Sequence, residues 1–265
     1  MRLPSSRYLL EWPRDVQLEL LPGVGETLDS ICGGEVQVLQ RRVGYRFTLD
    51  PILLAHFAVY EGGAHRGRVI DLGTGSGIIP LVLAKRLGRK DITALELQPG
   101  LYSLAERNVY LNRCEQQVTL VQGDLRHVGQ VFAAGSFSHV LCNPPYRACT
   151  RGRSSLTVEK AIAKHEVACA LPDVARAARH LLAPRGGLCM VFPAARFAEL
   201  AGVLREHRLE PKTARMVHPR AERPAKLVLL HAVKGGRADL TVLPPLVLHA
   251  EDEHAFTEEV SAMVE

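Results

Sequence analysis

Asn143-Pro144-Pro145-Tyr146 puts a carboxamide, two prolines and a phenol ring on one short, stiff turn. Phe137, Val140, Leu141 and Cys142 run apolar just ahead of it and predict a strand. Two successive prolines must end that strand, because neither offers an N–H to a ladder. The carboxamide therefore stands at a strand's C-terminal end, with an aromatic ring three residues on. In an open α/β sheet, that edge is where ligands bind. The Asn143 side-chain oxygen and the Pro144 carbonyl can each accept one N–H from a planar amino group, while the Tyr146 ring stacks on the heterocycle that carries it. Asn-Pro also opens ordinary turns, so the weight of this reading depends on what lies upstream.

Upstream, Val69, Ile70 and Leu72 form a short apolar run around Asp71, followed by Gly73-Thr74-Gly75-Ser76-Gly77 and a helical stretch from Ile78 to Leu87. Glycines there allow positive φ and let a ligand lie against the main chain. The spacing is G-x-G-x-G rather than the G-x-G-x-x-G of dinucleotide folds. Ile92 to Glu96 predicts a second strand ending in an acid about twenty residues past the glycines, where a carboxylate accepts bonds from ribose hydroxyls. Val118 to Val121 predicts a third strand, closed by Gly123-Asp124-Leu125. A dinucleotide fold accounts for Asp71, the glycines and Glu96. It gives no reason for Asp124 or for Asn143 to Tyr146.

Together these residues resemble the class I methyltransferases that use S-adenosylmethionine (SAM). The resemblance implies that Asp71, Gly73, Gly75 and Gly77 line the methionine end of the cofactor and that Glu96 binds its ribose. It implies further that Asp124 and the Leu125 N–H meet its adenine, and that Asn143 lies between cofactor and target. Asn143, Pro144 and Tyr146 would act on an amino group, with Pro145, Tyr146, Arg147, Arg151 and Arg153 on the substrate side. A narrower likeness lies in Gly33 to Gln40 and in Gly44-Tyr-Arg-Phe-Thr-Leu-Asp50-Pro-Ile-Leu-Leu-Ala55, which are similar to the tRNA1(Val) adenine-37 N6-methyltransferase family. Lys164-His165-Glu166, Leu182 to Gly187, Arg223 to Lys226 and Lys234-Gly-Gly236 are similar to it as well. Arg89-Lys90 departs from its pattern, and Met1 to Pro22 does not align. That family implies methylation of adenine N6 in tRNA. The core motifs equally suit a glutamine N5-methyltransferase of a protein release factor, an rRNA guanine N2-methyltransferase, a DNA adenine methyltransferase, or a non-catalytic SAM- or RNA-binding protein. Release-factor enzymes carry a helical N-terminal domain, whereas residues 24–47 read as strands.

The elements that must position these groups follow from the pattern. Short strands are expected around Thr27–Ser30 and Glu35–Gln40, then a helix near Pro51–Tyr60 with Asp50 as its N-cap. Strands marked by Val69, Ile92, Val118, Val140 and Leu188 alternate with helices, which implies a parallel sheet with helices on both faces. By resemblance, Lys212–Val217 and Lys226–Val233 add an antiparallel hairpin, giving a Rossmann-like, mostly parallel seven-stranded sheet. Residues 1–66 form an N-terminal extension, 67–236 the SAM-binding core and 237–265 an acidic tail, expected to be solvated. The chain has 265 residues, 47% of them hydrophobic, enough for one sizeable α/β core.

A net charge of +5 suits an anionic partner, here tRNA. Arg147, Arg151, Arg153, Lys160 and Lys164 form one basic set, Arg41, Arg42 and Arg46 a second, and Arg215, Arg220, Arg223 and Lys226 a third. Phosphate contacts by such groups supply affinity rather than specificity. Tyr45 and Phe47 read as packing aromatics, the histidines as surface or packing residues, and for His165-Glu166, which opens the helix after the basic loop, the sequence leaves entry into the pocket open. Six cysteines show no C-x-x-C or metal spacing, so reduced thiols and no metal are expected. Without a signal segment or a membrane-length apolar run, the chain reads as soluble and cytoplasmic, with no membrane partner.

Overall fold

The computed structural model describes residues 20–43, 48–144, 170–250 and 255–265. Its centre is a nine-stranded sheet among those residues. Five strands run parallel in the order β5 (Val118–Gln122), β4 (Ile92–Glu96), β3 (Val69–Leu72), β6 (Phe137–Cys142), β7 (Leu182–Pro193). Next to β7 lies β9 (Leu227–Lys234), antiparallel, and beyond it β8 (Leu209–His218), antiparallel to β9. The seven expected strands are all present. Two more, β10 (Thr241–Val242) and β11 (Leu246–Val247), pair in parallel with the outer edge of β8.

Both faces of the sheet are covered, and the strands show it with a period of two. On β7, Leu188, Met190 and Phe192 pack into one core while Cys189 and Val191 pack into the other. The core of Cys189 and Val191 is closed by α1 (Asp50–Tyr60), α2 (Ile78–Leu81) and α3 (Pro99–Leu111), that of Leu188, Met190 and Phe192 by α4 (Leu171–Leu181) and α5 (Phe197–Glu206). The stretch read as one helix from Ile78 to Leu87 is α2 continued by a wide π turn over Val82–Arg86, with Leu87 N bonded to Val82 O at 3.1 Å. Asp50 is not the N-cap of α1. Leu49 occupies that position with helical φ/ψ, and Asp50 and Pro51 form the first turn. Proline suits either of the first helical positions, since its missing N–H has no intrahelical partner there.

The N-terminal strands β1 (Glu26–Ile31) and β2 (Val36–Arg41) form a separate antiparallel hairpin. It is stitched to α3 by two asparagines one turn apart. Asn108 accepts from Leu39 N at 2.7 Å and donates to Leu39 O at 3.0 Å. Asn112 does the same for Gln37, at 2.9 and 2.7 Å. Each carboxamide thus bonds a strand's backbone as a neighbouring strand would. Arg107 reinforces the join through Glu26 at 2.9 Å and Leu21 O at 2.7 Å.

The C-terminal segment is docked rather than solvated. Arg215 on β8 grips Glu259 with both guanidinium ends at 2.6 and 2.8 Å and also donates to Pro244 O. Glu259 opens the final helix α6 (Glu258–Val264), which buries Val260 and packs beside α1. Arg86 closes the ring by bonding both Glu35 and Ala262 O. Among the described residues no helix is long and apolar enough to cross a membrane.

Candidate active site

The parallel register brings the chemistry to one edge. Asp71 on β3 sits level with Ala94 on β4 and Leu141 on β6, and Leu72 is level with Cys142, so Gly73 and Asn143 leave the sheet side by side. Glu96 ends β4 level with Gln122 of β5, two residues before Asp124. Asp71, Gly73, Gly75, Gly77, Glu96, Asp124, Leu125, Asn143 and Pro144 therefore share the C-terminal edge. Pro145, Tyr146, Arg147, Arg151 and Arg153 lie outside the described residues, as do Tyr45, Arg46, Phe47, Lys160, Lys164, His165 and Glu166.

Gly73, Gly75 and Gly77 all take left-handed φ, at 73°, 61° and 87°, a conformation that a side chain would strain. Gly77 also lies against Ala105 of α3, where an added Cβ would come within 3.4 Å. The loop is held by backbone bonds from Gly73 and Thr74 to Leu95 O, by Asn108 on Ser76 O at 2.9 Å, and by Gly75 N on Glu96 Oε2 at 2.8 Å. Glu96 is buried, and its other oxygen accepts from Gln98 N at 2.9 Å. Each oxygen keeps a second lone pair for a hydroxyl.

Asp71 is fully buried and neither of its oxygens has a hydrogen-bond partner among the described residues. Burial pushes its carboxyl up to about 7, with the neighbouring Thr74 hydroxyl opposing the shift and the Glu96 charge adding to it. A desolvated acid behind a main-chain cradle fits a ligand that brings positive charge, as the sulfonium and ammonium of SAM do. Thr74 Oγ1 is also buried and unpaired there.

Asp124 is differently placed. It caps the 3-10 turn Leu125–Gln130 by accepting from Arg126 N at 2.8 Å, and its carboxylate is bridged by the Arg126 side chain at 2.8 and 3.0 Å. Those bonds hold its pKa below the usual carboxylate range. Leu125 and Arg126 line a cavity of about 180 Å³ against Asp173 and Arg176 of α4. Arg126 was not foreseen. Asn108 and Asn112 were not either, although an Asn-x-x-x-Asn spacing on one helix face was there to be read. Of the third basic set, Arg215 is engaged internally by Glu259 and is only 14% exposed, so it is not a surface cation. Among the described residues no group of His, Cys, Asp or Glu is placed to hold a metal, and Cys32, Cys114, Cys142 and Cys189 are buried free thiols.

The antiparallel β9, inserted between β7 and β8 in an otherwise parallel sheet, parts this architecture from dinucleotide-binding folds. With the unpartnered acid behind the three-glycine turn it defines the class: a class I methyltransferase, an enzyme that takes its methyl group from SAM. The chain belongs to the methyltransferase small domain family, whose model matches residues 50–207. It is 32% identical over 145 residues to a tRNA1(Val) (adenine(37)-N6)-methyltransferase of Shewanella loihica, which is 54% of this chain and 58% of that one. It is 30% identical over 196 residues to the protein of the same name from Aeromonas salmonicida, covering 73% and 79%. A solved structure from Agrobacterium tumefaciens, described as a predicted O-methyltransferase, superposes with a TM-score of 0.65 at 25% identity over 81% of this chain and 94% of its own.

Proposed function

We propose that this enzyme methylates the exocyclic N6 of an adenine in tRNA. The observation that carries the reading is Asn143-Pro144 leaving β6 beside Gly73 and the buried Asp71, an acceptor pair next to the cofactor cradle. The two tRNA-modifying relatives support the adenine assignment.

SAM, when bound, supplies an electrophilic methyl on a sulfonium. Asp71 offsets that positive charge from within the sheet, and Glu96 takes the ribose hydroxyls while keeping the glycine loop in place through Gly75. Asp124 meets the adenine amino group of the cofactor, sharing its carboxylate with Arg126 or exchanging one for the other. The target nitrogen is a poor nucleophile because its lone pair is delocalised into the ring. Asn143 Oδ1 and Pro144 O accept its two N–H bonds, which favours a pyramidal nitrogen and aims the lone pair at the methyl. With its methyl group given up to that nitrogen, SAM would leave as the neutral thioether, and the nitrogen would release one proton. No strong base is required, so the chain's contribution is positioning and electrostatics. Tyr146 stacks on the extruded base, an interaction worth about 1–3 kcal/mol.

Incubation with labelled SAM and, separately, tRNA, rRNA, DNA and a release factor tests this reading. N6-methyladenosine in tRNA is the expected product; label in glutamine or in guanine N2 overturns it. Asn143→Ala then tests the assignment of roles. Single-turnover methyl transfer should fall at least 100-fold while SAM affinity stays within about twofold, since the carboxamide faces the target rather than the cofactor. Near-normal turnover in that variant removes Asn143 from the mechanism.

A further inference from the structure

The hairpin is delivered to the active-site edge in a fixed register. Gln37 is tied to Asn112 near the end of α3, Leu39 to Asn108 one turn earlier, and the Arg41 guanidinium lies over Gly100 in the first turn. β2 therefore runs antiparallel to α3 and ends where α3 begins, just after Glu96 and Gln98. β4 and β6 are two strands apart, so about 10 Å of sheet edge separates the end of β4, which leads into α3, from the end of β6, which leads into Asn143.

Gly100 has an ordinary φ, so its backbone does not call for glycine. An added Cβ would instead run into Arg41. Glycine weakens a helix by about 1 kcal/mol relative to alanine, and here the missing side chain makes the seat of a guanidinium. Arg41 is exposed, and beyond its ladder position opposite Glu26 its side chain forms no hydrogen bond or ion pair with any described residue. Arg42 spends only its Nε, on Glu26 O at 3.1 Å. The other hairpin-facing arginines are paired, Arg107 with Glu26 and Arg86 with Glu35. Beside the two unneutralised guanidinium groups, Val24 and Val43 stand fully out in solvent, at 109% and 85% exposure.

We propose that this open end of the hairpin, Arg41 and Arg42 with Val24 and Val43, carries the single-stranded RNA that flanks the methylated nucleotide. The guanidinium groups take its phosphates and the valines take an unstacked base. The inference rests on the RNA substrate proposed above. It assigns the contact to a platform set by α3, because a phosphate held beyond the end of β4, two strands from the end of β6, fixes the register in which a neighbouring nucleotide enters. An acidic peptide would find the charge but has no use for apolar side chains placed to receive a base.

The test compares wild type, Arg41→Glu/Arg42→Glu and Arg41→Lys/Arg42→Lys on the tRNA that wild type methylates. In the Glu pair, KM for tRNA should rise at least tenfold with kcat within about threefold. SAM affinity and the urea midpoint should not move, since neither side chain touches the cofactor loop or the core. The dependence of log KM on log salt should flatten by about one to two units, one per lost phosphate contact. The Lys pair should recover most of the loss, as phosphate needs charge rather than a fork. Gly100→Ala, which displaces Arg41 alone, should raise KM in the same direction by a smaller factor. Unchanged KM and salt slope in the Glu pair, with wild type active on tRNA, overturn the platform and leave the tRNA reading standing. Methyl transfer by wild type to a release factor and to no nucleic acid overturns both.

Discussion

A wholly buried carboxylate with no hydrogen-bond partner among the described residues is held ready for a cation, and Asp71 is in that condition. Its raised pKa, about 7, means that the empty site carries a neutral acid on the low side of neutrality and an anion on the high side. A ligand bringing positive charge favours the anion and expels the proton. SAM affinity should therefore rise as pH increases from 6 to 8, with proton release largest near or below 7. Calorimetry in buffers of differing ionisation enthalpy reads that release, and Asp71→Asn should abolish both the release and the slope. A pH-independent affinity in wild type would sink the assignment. The position of Asp71 was legible in the sequence, since an acid two residues before a glycine turn must sit at the strand end from which that turn leaves. Its isolation was not, because that depends on which donors fail to reach it. Asp124 shows the converse: the edge position was readable, but the arginine two residues on that occupies it takes part through a cap geometry that only φ/ψ decides.

Elements carry the site through α3, which holds the hairpin with both asparagines of its pair and the glycine loop with Asn108 alone. Asn108 is fully buried and meets Leu39 N, Leu39 O and Ser76 O. Asn108→Ala strands one donor and two acceptors without water, for which about 2–4 kcal/mol of stability should be lost by urea unfolding. SAM affinity should fall as well, because Ser76 lies between Gly75 and Gly77. Asn108→Asp should be no milder: it keeps the acceptor but turns a charge toward two carbonyls. An Asn108→Ala variant with unchanged SAM affinity would separate the hairpin from the loop. The strands themselves were legible, since β3 to β6 each pair an apolar run with a turn of known chemistry. β10 and β11 were not. Two-residue strands have no period, and their pairing with β8 is set by the segment folding back to seat Glu259 on Arg215. Acidic composition suggested solvent, but the partner for one of those acids lay more than forty residues away.

At the scale of the whole molecule, one buried histidine, two half-buried ones and one buried acid set how stability follows pH. Among the described residues, His56, under α6 and near Arg86, has no partner for its Nε2; His139 and His231 both crowd Gly187, and His139 Nδ1 has no partner there either. Burial holds all three down to about 4, helped by Arg86 at His56, by His231 and Arg89 at His139, and by Lys212 at His231. Between about pH 6.5 and 4 the unfolded chain binds a proton at each that the folded chain refuses, so stability falls as pH falls through that window. Asp71 acts in the opposite direction between its ordinary value and about 7, because there the folded chain holds the extra proton. Three sites outweigh one. The cofactor-free protein should be less stable at pH 5 than at pH 7 by roughly 1–3 kcal/mol once solvent screening is allowed for, read as a lower urea midpoint. Replacing His139 and His231 together by Gln should flatten the profile, and Asp71→Asn should steepen it by removing the opposing group. A midpoint that holds steady or climbs from pH 7 to 5 in the wild type would mean that these histidines open to water and titrate as they do in the unfolded chain.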